Sequence, residues 1–269
     1  MIKNKLEKNI ICVMLAVTVI ISTIMCDSDY IYASTSVSGV DKIAGLSDDF
    51  YRGADISSVL ALENSGVEYK YPDGTKADIF DILSGAGINY VRIRIWNNPY
   101  DSEAPYKGYG GGNNDLYVAK VLGKRATDAG MKVFIDFHYS DFWTDPAKHY
   151  APKAWADYSL AYKKDAIYNY TYDSLSELIN YGVDVGMVQI GNETNGSLCG
   201  VGGQFDGVWD LSTGVAELMQ QGCYAVDDIN TRYNKDVLKV LHFTRFEDSE
   251  CGEQAAPVLE DSVDHAVRP

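Results

Sequence analysis

The stretch QIGNETNG at residues 189–196 places an Asn–Glu pair directly after a strand-like apolar segment. Glycosidic bond cleavage needs one carboxylic acid to protonate the leaving oxygen and a second carboxylate to attack the sugar or activate water, because the transition state is cationic at the sugar. Glu193 is the candidate acid/base, and Asn192 beside it can hydrogen-bond a sugar hydroxyl as the charge develops. The pair is therefore a candidate for the acid/base side of a glycosidase site. The second carboxylate must come from elsewhere in the chain.

A second group of candidates lies in FIDFHYSDFWTDP, residues 134–146. Side chains alternate between the two faces of a strand, so Asp136 and His138 share a face, and Trp143 follows in the loop. A histidine beside an inward acidic residue and an aromatic loop is a candidate for substrate contact. We expect Asp136 and His138 to line the site, and Trp143 and Trp96 to offer flat rings on which a sugar can stack.

Two arginines occupy one face of the apolar stretch VRIRIW at residues 91–96. Arginines inside an apolar strand need carboxylates as partners. Catalytic side chains of β/α barrels lie at the carboxyl ends of the strands. We therefore expect Arg94, nearer that end, to hold and orient a catalytic carboxylate, and Arg92 to form a structural ion pair.

A helix followed by a buried strand recurs along the chain and must position these residues. Apolar residues at helical spacing, with caps at Asn114 and Gly130, predict a helix before the strand KVFIDFH at residues 132–138. The same order recurs in three further segments, at residues 76–96, 165–190 and 212–243. Alternating helices and apolar strands indicate a parallel β/α architecture with both faces of the sheet covered.

Five strand ends can be placed, and each carries a polar residue: Asp55, Arg94, His138, Glu193 and His242. Active sites of β/α barrels are built from such ends, so Asp55 and His242 join the expected site residues. A doubly wound sheet would favour a glycine-rich phosphate loop after the first strand, but RGADISSVL at residues 52–60 contains no GxGxxG pattern. The sequence predicts a TIM-type (β/α)8 barrel, of which about the first five β/α units are present.

The composition of the chain limits which ligands and metals the protein is expected to bind. Asp and Glu number 38 against 23 Lys and Arg, a formal net charge of -15, so nucleic acid would be repelled. The 20 tyrosines and 4 tryptophans suit the flat faces of sugar rings. No CxxC, HExxH or His/Cys cluster occurs, so a metal site has no support from motifs. Beyond residue 33 the cysteines are Cys199, Cys223 and Cys251, which allow at most one disulfide.

The N-terminus has the order of an export signal. Lys3, Lys5 and Lys8 precede an apolar run from Ile10 to Met25, and the polar DSDYIYAS follows. Cleavage is expected after Ala33, which would make the protein extracellular. The alternatives are a membrane anchor through residues 9–25 or a lipoprotein site at Cys26.

The predicted organisation has four parts. They are a signal peptide at residues 1–33, a linker at 34–48, a partial barrel at 49–244 and a divergent tail at 245–269. No stable membrane partner is expected beyond the export signal.

Five blocks of the sequence, in their order and spacing, resemble the family 53 glycoside hydrolases, the endo-β-1,4-galactanases. They are FYRGADISSVLALENSGVEY, AGINYVRIRIWNNP, AGMKVFIDFHYSDFWTDPAKH, IGNETNG and LHFT, within about residues 49–244. The resemblance implies a (β/α)8 barrel that cleaves β-1,4-galactan or arabinogalactan, a side chain of pectin, internally and with retention. It implies Glu193 as the acid/base and Asn192 as its sugar-binding neighbour. The supporting site residues that it implies are Arg94, His138 and His242.

The same resemblance places the nucleophile on a glutamate at the end of the seventh strand, about 100 residues beyond His242 by the spacing of the strands. We therefore expect the nucleophile to be absent and the 269-residue chain to be inactive. Glu247, Glu250 and Glu253 follow the fifth strand without a rigid scaffold and are poor substitutes. No cofactor is implied, and a calcium site of bacterial relatives would lie in the missing region.

Two other hypotheses stay open. The chain could be a non-catalytic carbohydrate-binding remnant, or a fragment that assembles with a complementary piece. It could also derive from another β-glycanase of the same clan, such as a mannanase or xylanase. The blocks at residues 50–60 and 136–146 favour galactan over that last hypothesis.

Overall fold

The computed structural model of the protein describes Gly45, Ser47 and residues 49–100, 112–203 and 214–244. The predicted signal peptide, most of the linker and the divergent tail lie outside the described residues. Two compact units are distinguished, Met1–Phe50 and Tyr51–Pro269. In the first unit, Phe50 N–H donates to the carbonyl oxygen of Ser47. The second unit carries the strands, the helices and the candidate site.

Among the described residues, the main sheet has five parallel strands. They are β1 (Gly53–Asp55), β2 (Tyr90–Ile95), β3 (Lys132–Phe137), β4 (Val185–Ile190) and, after a short antiparallel hairpin of β5 (Ser197–Leu198) and β6 (Val201–Gly202), β7 (Leu238–Val240). The strand order is β1-β2-β3-β4-β7. Parallel neighbours need a crossover connection, which helices supply here. The predicted parallel β/α arrangement is confirmed, with a strand at each of the five predicted places.

Five helices lie between these strands in the parts of the chain that the structure describes. They are α1 (Val59–Asn64), α2 (Ile79–Gly85), α3 (Leu116–Asp128), α4 (Leu160–Asn180) and α5 (Val215–Tyr233), with one 3₁₀ turn at Lys153–Trp155. Helix α4 starts at a serine cap, since the Ser159 hydroxyl accepts from Tyr162 N–H at 3.4 Å. Helices α2, α3, α4 and α5 lie in the four segments where the spacing of apolar residues predicts them, whereas α1 was not predicted.

The cap of α3 differs from the prediction by one residue. The Asp115 carboxylate accepts from Val118 N–H at 2.9 Å, so Asp115 is the N-cap and the prediction of Asn114 was wrong. A carboxylate is favoured at this position because it meets the positive end of the helix dipole. Asn114 instead serves β2, since its carbonyl oxygen accepts from Trp96 N–H at 2.7 Å. Gly130 follows the helix at φ 82°, as predicted.

The hydrophobic core lies between the sheet and the helices. Ile93, Ile95, Val133 and Ile135 alternate along β2 and β3 and are completely buried. Leu122 of α3 belongs to the same core cluster. Truncating one of these side chains to alanine costs about 2–5 kcal/mol, because it removes apolar contact and leaves a cavity. The apolar face therefore fixes the strands whose other face carries the polar residues.

That other face holds the candidate site. Period-two alternation turns Arg92 and Asp136 away from the helices, and the sheet register pairs Asp136 with Gln189 of β4. In a β/α barrel this face is the interior, and its carboxyl end holds the active site.

Two further predictions touch the described residues. Cys199 and Cys223 are free thiols, so no disulfide joins them. Among the helices that the structure describes, none has the length and apolarity needed to cross a bilayer.

Candidate active site

The chain turns sharply after β4. Gly191 has φ 82°, and a Cβ added there would lie 2.4 Å from Thr194 Cγ2, so glycine is required. Glu193 has φ 53°, a left-handed conformation that costs a non-glycine residue about 1–2 kcal/mol. Such strain persists only where neighbouring contacts hold the backbone, and it is typical of functional sites.

Two histidines hold the backbone of Glu193. His149 Nε2 lies 3.0 Å from the carbonyl oxygen of Glu193, and Glu193 N–H lies 3.3 Å from Nδ1 of His242. A carbonyl oxygen only accepts, so Nε2 of His149 carries a proton. Burial lowers the pKa of His149 to about 4, which keeps the ring neutral at pH 7. His149 lies in a loop without periodic signal, and the sequence analysis missed it.

The turn is also tied to the segment after β7. Thr194 N–H donates to the carbonyl oxygen of His242 at 2.9 Å. Asn195 and Thr244 exchange two hydrogen bonds of 2.9 Å, one from Asn195 Nδ2 to the Thr244 carbonyl and one from Thr244 N–H to Asn195 Oδ1. These bonds extend the contact of β4 with β7 past the ends of both strands.

The carboxyl group of Glu193 sits in surroundings that favour its protonated form. Burial raises its pKa, as do the charges of Asp145 and Asp136, while those of His138 and Arg92 oppose the shift. A raised pKa keeps a proton on the acid closer to neutral pH, as a general acid requires. The sequence analysis named Glu193 but not the contribution of Asp145.

Asn192 is fixed by its neighbours. Its Nδ2 donates to the carbonyl oxygen of Thr144 at 2.8 Å, and its Oδ1 accepts from Arg92 Nη2 at 3.1 Å. His242 Nδ1 lies 3.0 Å from the same Oδ1, but because Nδ1 accepts from Glu193 N–H, the donor to this oxygen is Arg92. Burial and the charge of Arg92 lower the pKa of His242, so its ring is neutral at neutral pH. The amide orientation of Asn192 is therefore set before any substrate binds.

The two arginines occupy different environments. Arg92 forms ion pairs with Asp136 at 2.7 Å and Asp55 at 2.8 Å and also reaches Asn192. The guanidinium of Arg94 lies 4.5 Å from the ring centre of Trp143. The sequence analysis assigned the site role to Arg94 from its depth along the strand. Arg92 forms the ion pairs predicted for it and also reaches Asn192, while the site role of Arg94 stays a prediction.

Asp136 and His138 form the buried centre of this network. His138 Nδ1 accepts from Thr144 N–H at 3.0 Å, so the proton lies on Nε2, which donates to Asp136 Oδ2 at 3.0 Å. The other oxygen of Asp136 accepts from Gln189 Nε2 at 2.6 Å. Gln189 shares the inward parity of its strand, a signal that could have identified it. The predicted pair is brought together with Arg92, and both oxygens of Asp136 are occupied.

Asp55 lies at the outer end of the network. Its carboxylate accepts from Ser57 N–H at 3.0 Å and from the Ser57 hydroxyl at 2.7 Å, in addition to Arg92. Burial acts to raise the pKa of Asp55, but the hydrogen bonds from Ser57 and the charges of Arg94 and Arg92 outweigh it and lower the pKa. Asp55 is therefore ionised at neutral pH and neutralises Arg92.

The two predicted aromatic platforms differ. Trp143 is half-buried beside the His138 ring, with centroids 5.8 Å apart. Trp96 has 0% exposure and packs against Phe142 at 5.1 Å, so the expectation that it offers a free face needs correction. The reason is that Trp96 directly follows the buried strand β2 and stays under the loop after β3. Trp143 keeps its predicted role as a proposal.

Within residues 49–100, 112–203 and 214–244, no group of three or more His, Cys, Asp or Glu side chains could hold a metal ion. The acidic and histidine side chains at the strand ends are instead joined to each other and to Arg92.

Comparisons with known proteins extend these observations. The family model for glycosyl hydrolase family 53 matches residues 51–265. This match includes most of the predicted divergent tail, whose boundary stays a prediction. An endo-beta-1,4-galactanase of Bacillus subtilis (strain 168) is 53% identical over 205 residues, which are 76% of this chain and 44% of the relative.

Two further proteins are similar. An arabinogalactan endo-beta-1,4-galactanase of Cellvibrio japonicus (strain Ueda107) is 37% identical over 212 residues, 76% of this chain and 53% of the relative. The solved structure of the Ignisphaera aggregans GH53 catalytic domain superposes with a TM-score of 0.72 and 34% identity, over 82% of this chain and 59% of that one. The chain thus spans about half the length of the galactanases that it matches.

The match of the family model covers most of the chain, and the parallel β/α sheet is that of a partial TIM barrel. The resemblance found in the sequence is therefore confirmed: the chain belongs to glycosyl hydrolase family 53.

Proposed function

We propose that the protein hydrolyses β-1,4-galactan internally and that Glu193 is the general acid/base of its site. The observation that carries this proposal is the position of Glu193: half-buried and left-handed at the carboxyl end of β4, with its backbone held by His149 and His242. The choice of substrate is supported by the relatives from B. subtilis and C. japonicus, which are named galactanases.

In the proposed reaction the Glu193 carboxyl donates its proton to the glycosidic oxygen as the bond from that oxygen to the sugar breaks. The sugar carbon gains positive charge, and the leaving chain departs as a neutral alcohol. The second carboxylate forms a bond to this carbon as the leaving chain departs. Water then attacks the same carbon, gives a proton to the Glu193 carboxylate and displaces the second carboxylate, so both groups return to their starting states. The raised pKa of Glu193 supports the first of these steps.

Asn192 is proposed to bind the sugar next to the cleaved bond. One N–H of its amide goes to Thr144, and an amide nitrogen has two. The second N–H can donate to a sugar hydroxyl, where the bond strengthens as the transition state forms. Arg92 donates to the amide oxygen, so the amide nitrogen is oriented in advance.

The second carboxylate is proposed to come from outside the described residues. Asp136 is a poor nucleophile because Arg92, His138 and Gln189 occupy its oxygens. Asp55 is likewise bound by Arg92 and by Ser57. For the retaining mechanism that we propose, the partner carboxylate lies about 5–5.5 Å from Glu193 across the sugar.

We further propose that the protein is exported and acts on the galactan side chains of pectin. The lysine-rich start and the apolar run to Met25 support a signal peptide at residues 1–33, followed by a linker to residue 48. The tail at residues 245–269 is proposed as divergent from the barrel. The proposed reaction uses side-chain acid/base groups and needs no cofactor.

The proposed function is tested with a protein that carries residues 49–244 together with the segment supplying the second carboxylate. It is incubated with linear β-1,4-galactan, β-mannan and xylan at equal mass, and released reducing ends are measured. We expect release from galactan alone, and NMR of the first products should show the β-anomer, which marks retention. Release mainly from mannan or xylan would overturn the proposed substrate, and an α-anomer would overturn the retaining mechanism.

A further inference from the structure

A cleft of about 730 Å³ lies along the 3₁₀ turn and the first turns of α4. Four aromatic rings line it: Trp155, Tyr158, Tyr162 and Tyr170. Its size is within the range of small-ligand sites. None of its lining residues belongs to the hydrogen-bonded network around Asn192 and Glu193, so it is a separate feature of the surface.

Two of these rings are unusually exposed. Tyr162 is 66% exposed and Tyr158 is 43% exposed. Their ring centres lie 6.1 Å apart at an interplanar angle of 59°, so they form one adjoining surface. Adjacent aromatic side chains that are exposed to solvent indicate a binding surface more often than isolated exposed ones do. The pair therefore points to a ligand that presents flat apolar faces.

The floor of the cleft is rigidly mounted. Trp155 meets Tyr170 edge to face at 5.7 Å, and Tyr170 meets the buried Phe137 of β3 at the same distance. The 3₁₀ turn that carries Trp155 is anchored by Asp141, which accepts from Lys153 N–H at 2.9 Å and from Asn98 N–H at 3.0 Å. A platform fixed before binding loses little entropy when a ligand settles on it.

The polar residues of the cleft indicate which class of ligand it can bind. Asp157 and Asp165 contribute carboxylates and Asn169 an amide, while the lining residues that the structure describes include no lysine or arginine. Carboxylates accept hydrogen bonds from hydroxyl groups and repel anions. A ligand with apolar faces and many hydroxyl donors but no negative charge fits this surface. Neutral sugar chains have these properties, and the uronic acid backbone of pectin does not.

We propose that this cleft is a second, non-catalytic binding site for a neutral β-1,4-galactan chain. Sugar rings stack on Tyr158, Tyr162 and Trp155, and their hydroxyls donate to Asp157 and Asp165. The choice of galactan rests on the proposed function. Such a site holds a polysaccharide on the protein while Glu193 acts elsewhere along it, which raises the local concentration of bonds to be cleaved.

The test uses the full chain with Glu193→Gln, so that bound galactan is not cleaved. Affinity electrophoresis in gels with linear β-1,4-galactan gives the dissociation constant, and carbene footprinting reports protection of residues 153–170. Tyr158→Ala with Tyr162→Ala should weaken binding about tenfold, the loss expected for two stacked rings. Both tyrosines are exposed, so the fold should survive their removal. The matched control is Tyr181→Ala, an exposed tyrosine (51%) at the other end of α4.

The proposal is supported if the double variant loses affinity and protection while Tyr181→Ala keeps both. It is overturned if the double variant binds galactan as tightly as the control, if residues 153–170 are not protected, or if polygalacturonate binds as tightly as galactan. Hydrolysis is measured separately, on a protein with Glu193 intact that also carries the segment supplying the second carboxylate. If the binding experiments overturn the cleft proposal, the measured hydrolysis still stands as the test of the proposed function. Protection of the cleft without any galactan hydrolysis would overturn only the proposed function.

Discussion

The imidazole of His149 donates a hydrogen bond from Nε2 to the carbonyl oxygen of Glu193, 3.0 Å away. The loop after β3 thereby holds the turn after β4 in its left-handed conformation. Burial keeps the imidazole neutral, because His149 is 4% exposed and no carboxylate hydrogen-bonds to its ring among the described residues. The position of the candidate acid thus depends on a residue 44 positions earlier in the chain.

This contact predicts how stability depends on pH. The pKa of His149 drops from 6.5 in the unfolded chain to about 4 in the folded protein. Between these values the unfolded chain binds more protons, so the free energy of unfolding is highest above pH 6.5 and falls as the pH falls toward 4. The loss reaches about 3 kcal/mol. Urea unfolding at several pH values measures it.

The matched control is His149→Gln, whose amide can still donate to the Glu193 carbonyl but does not titrate. Its unfolding free energy should vary less between pH 6.5 and 4. Glu193, whose raised pKa contributes a slope of opposite sign, is present in both proteins and cancels in the comparison. Equal slopes for the two proteins would contradict the assignment.

Arg92→Ala should destabilise the protein strongly. The change leaves the carboxylate of Asp136, which is 0% exposed, without its guanidinium partner 2.7 Å away. Breaking a buried ion pair from one side costs about 3–5 kcal/mol, with the lower end expected here because His138 and Gln189 still donate to Asp136. Chemical denaturation measures the loss.

Lys120→Ala provides the comparison for Arg92→Ala. Lys120 pairs with Glu177 at 2.5 Å on the surface, where such pairs contribute less than about 1 kcal/mol. If the two substitutions cost the same, the buried network is not what stabilises the strand ends.

Gly191→Ala should cost more than Gly66→Ala. Both glycines have positive φ, 82° and 94°, so both variants bear a conformational strain of about 1–2 kcal/mol. Only at Gly191 does the new Cβ also collide, at 2.4 Å from Thr194 Cγ2, whereas Gly66 has open space within 4 Å. Thermal unfolding measures the loss of stability in each variant, and the difference between the two losses is the cost of the collision. A smaller loss of stability for Gly191→Ala than for Gly66→Ala would contradict the described turn.

Export predicts a new N-terminus. If residues 1–33 are a signal peptide, intact mass spectrometry of protein from the culture medium should find a chain that begins near Ser34. Intact Met1 on protein in the cytoplasm would rule this out. Retention in the membrane fraction would instead favour an anchor through residues 9–25.

Much of the fold follows from local sequence patterns. The ends of β1 and β3 fall at Asp55 and beside His138, because alternating strands and amphipathic helices leave periodic signals. The roles of Arg92 and Arg94 were harder to predict. Their order along the strand is visible in the sequence, but the direction of a long guanidinium depends on which carboxylates neighbouring strands bring within reach.

His149 shows why the rest of the site was missed. It lies in an irregular loop, and its contact with Glu193 spans two β/α units, so neither periodicity nor spacing indicates it. Trp96 illustrates the reverse case. A tryptophan after a strand was expected to face a sugar, yet the loop after β3 covers it with Phe142. Long-range coverage of this kind depends on loop conformation, which local patterns do not determine.

Turnover of linear β-1,4-galactan by the Glu193→Gln variant decides whether Glu193 is the general acid/base. The measurement uses a protein that carries residues 49–244 together with the segment supplying the second carboxylate. Glutamine keeps the shape of the side chain and removes its proton, so we expect turnover to fall about 10²–10⁴-fold, the usual contribution of general acid/base catalysis, with unchanged thermal stability. Near-normal turnover in the Glu193→Gln protein would contradict the account.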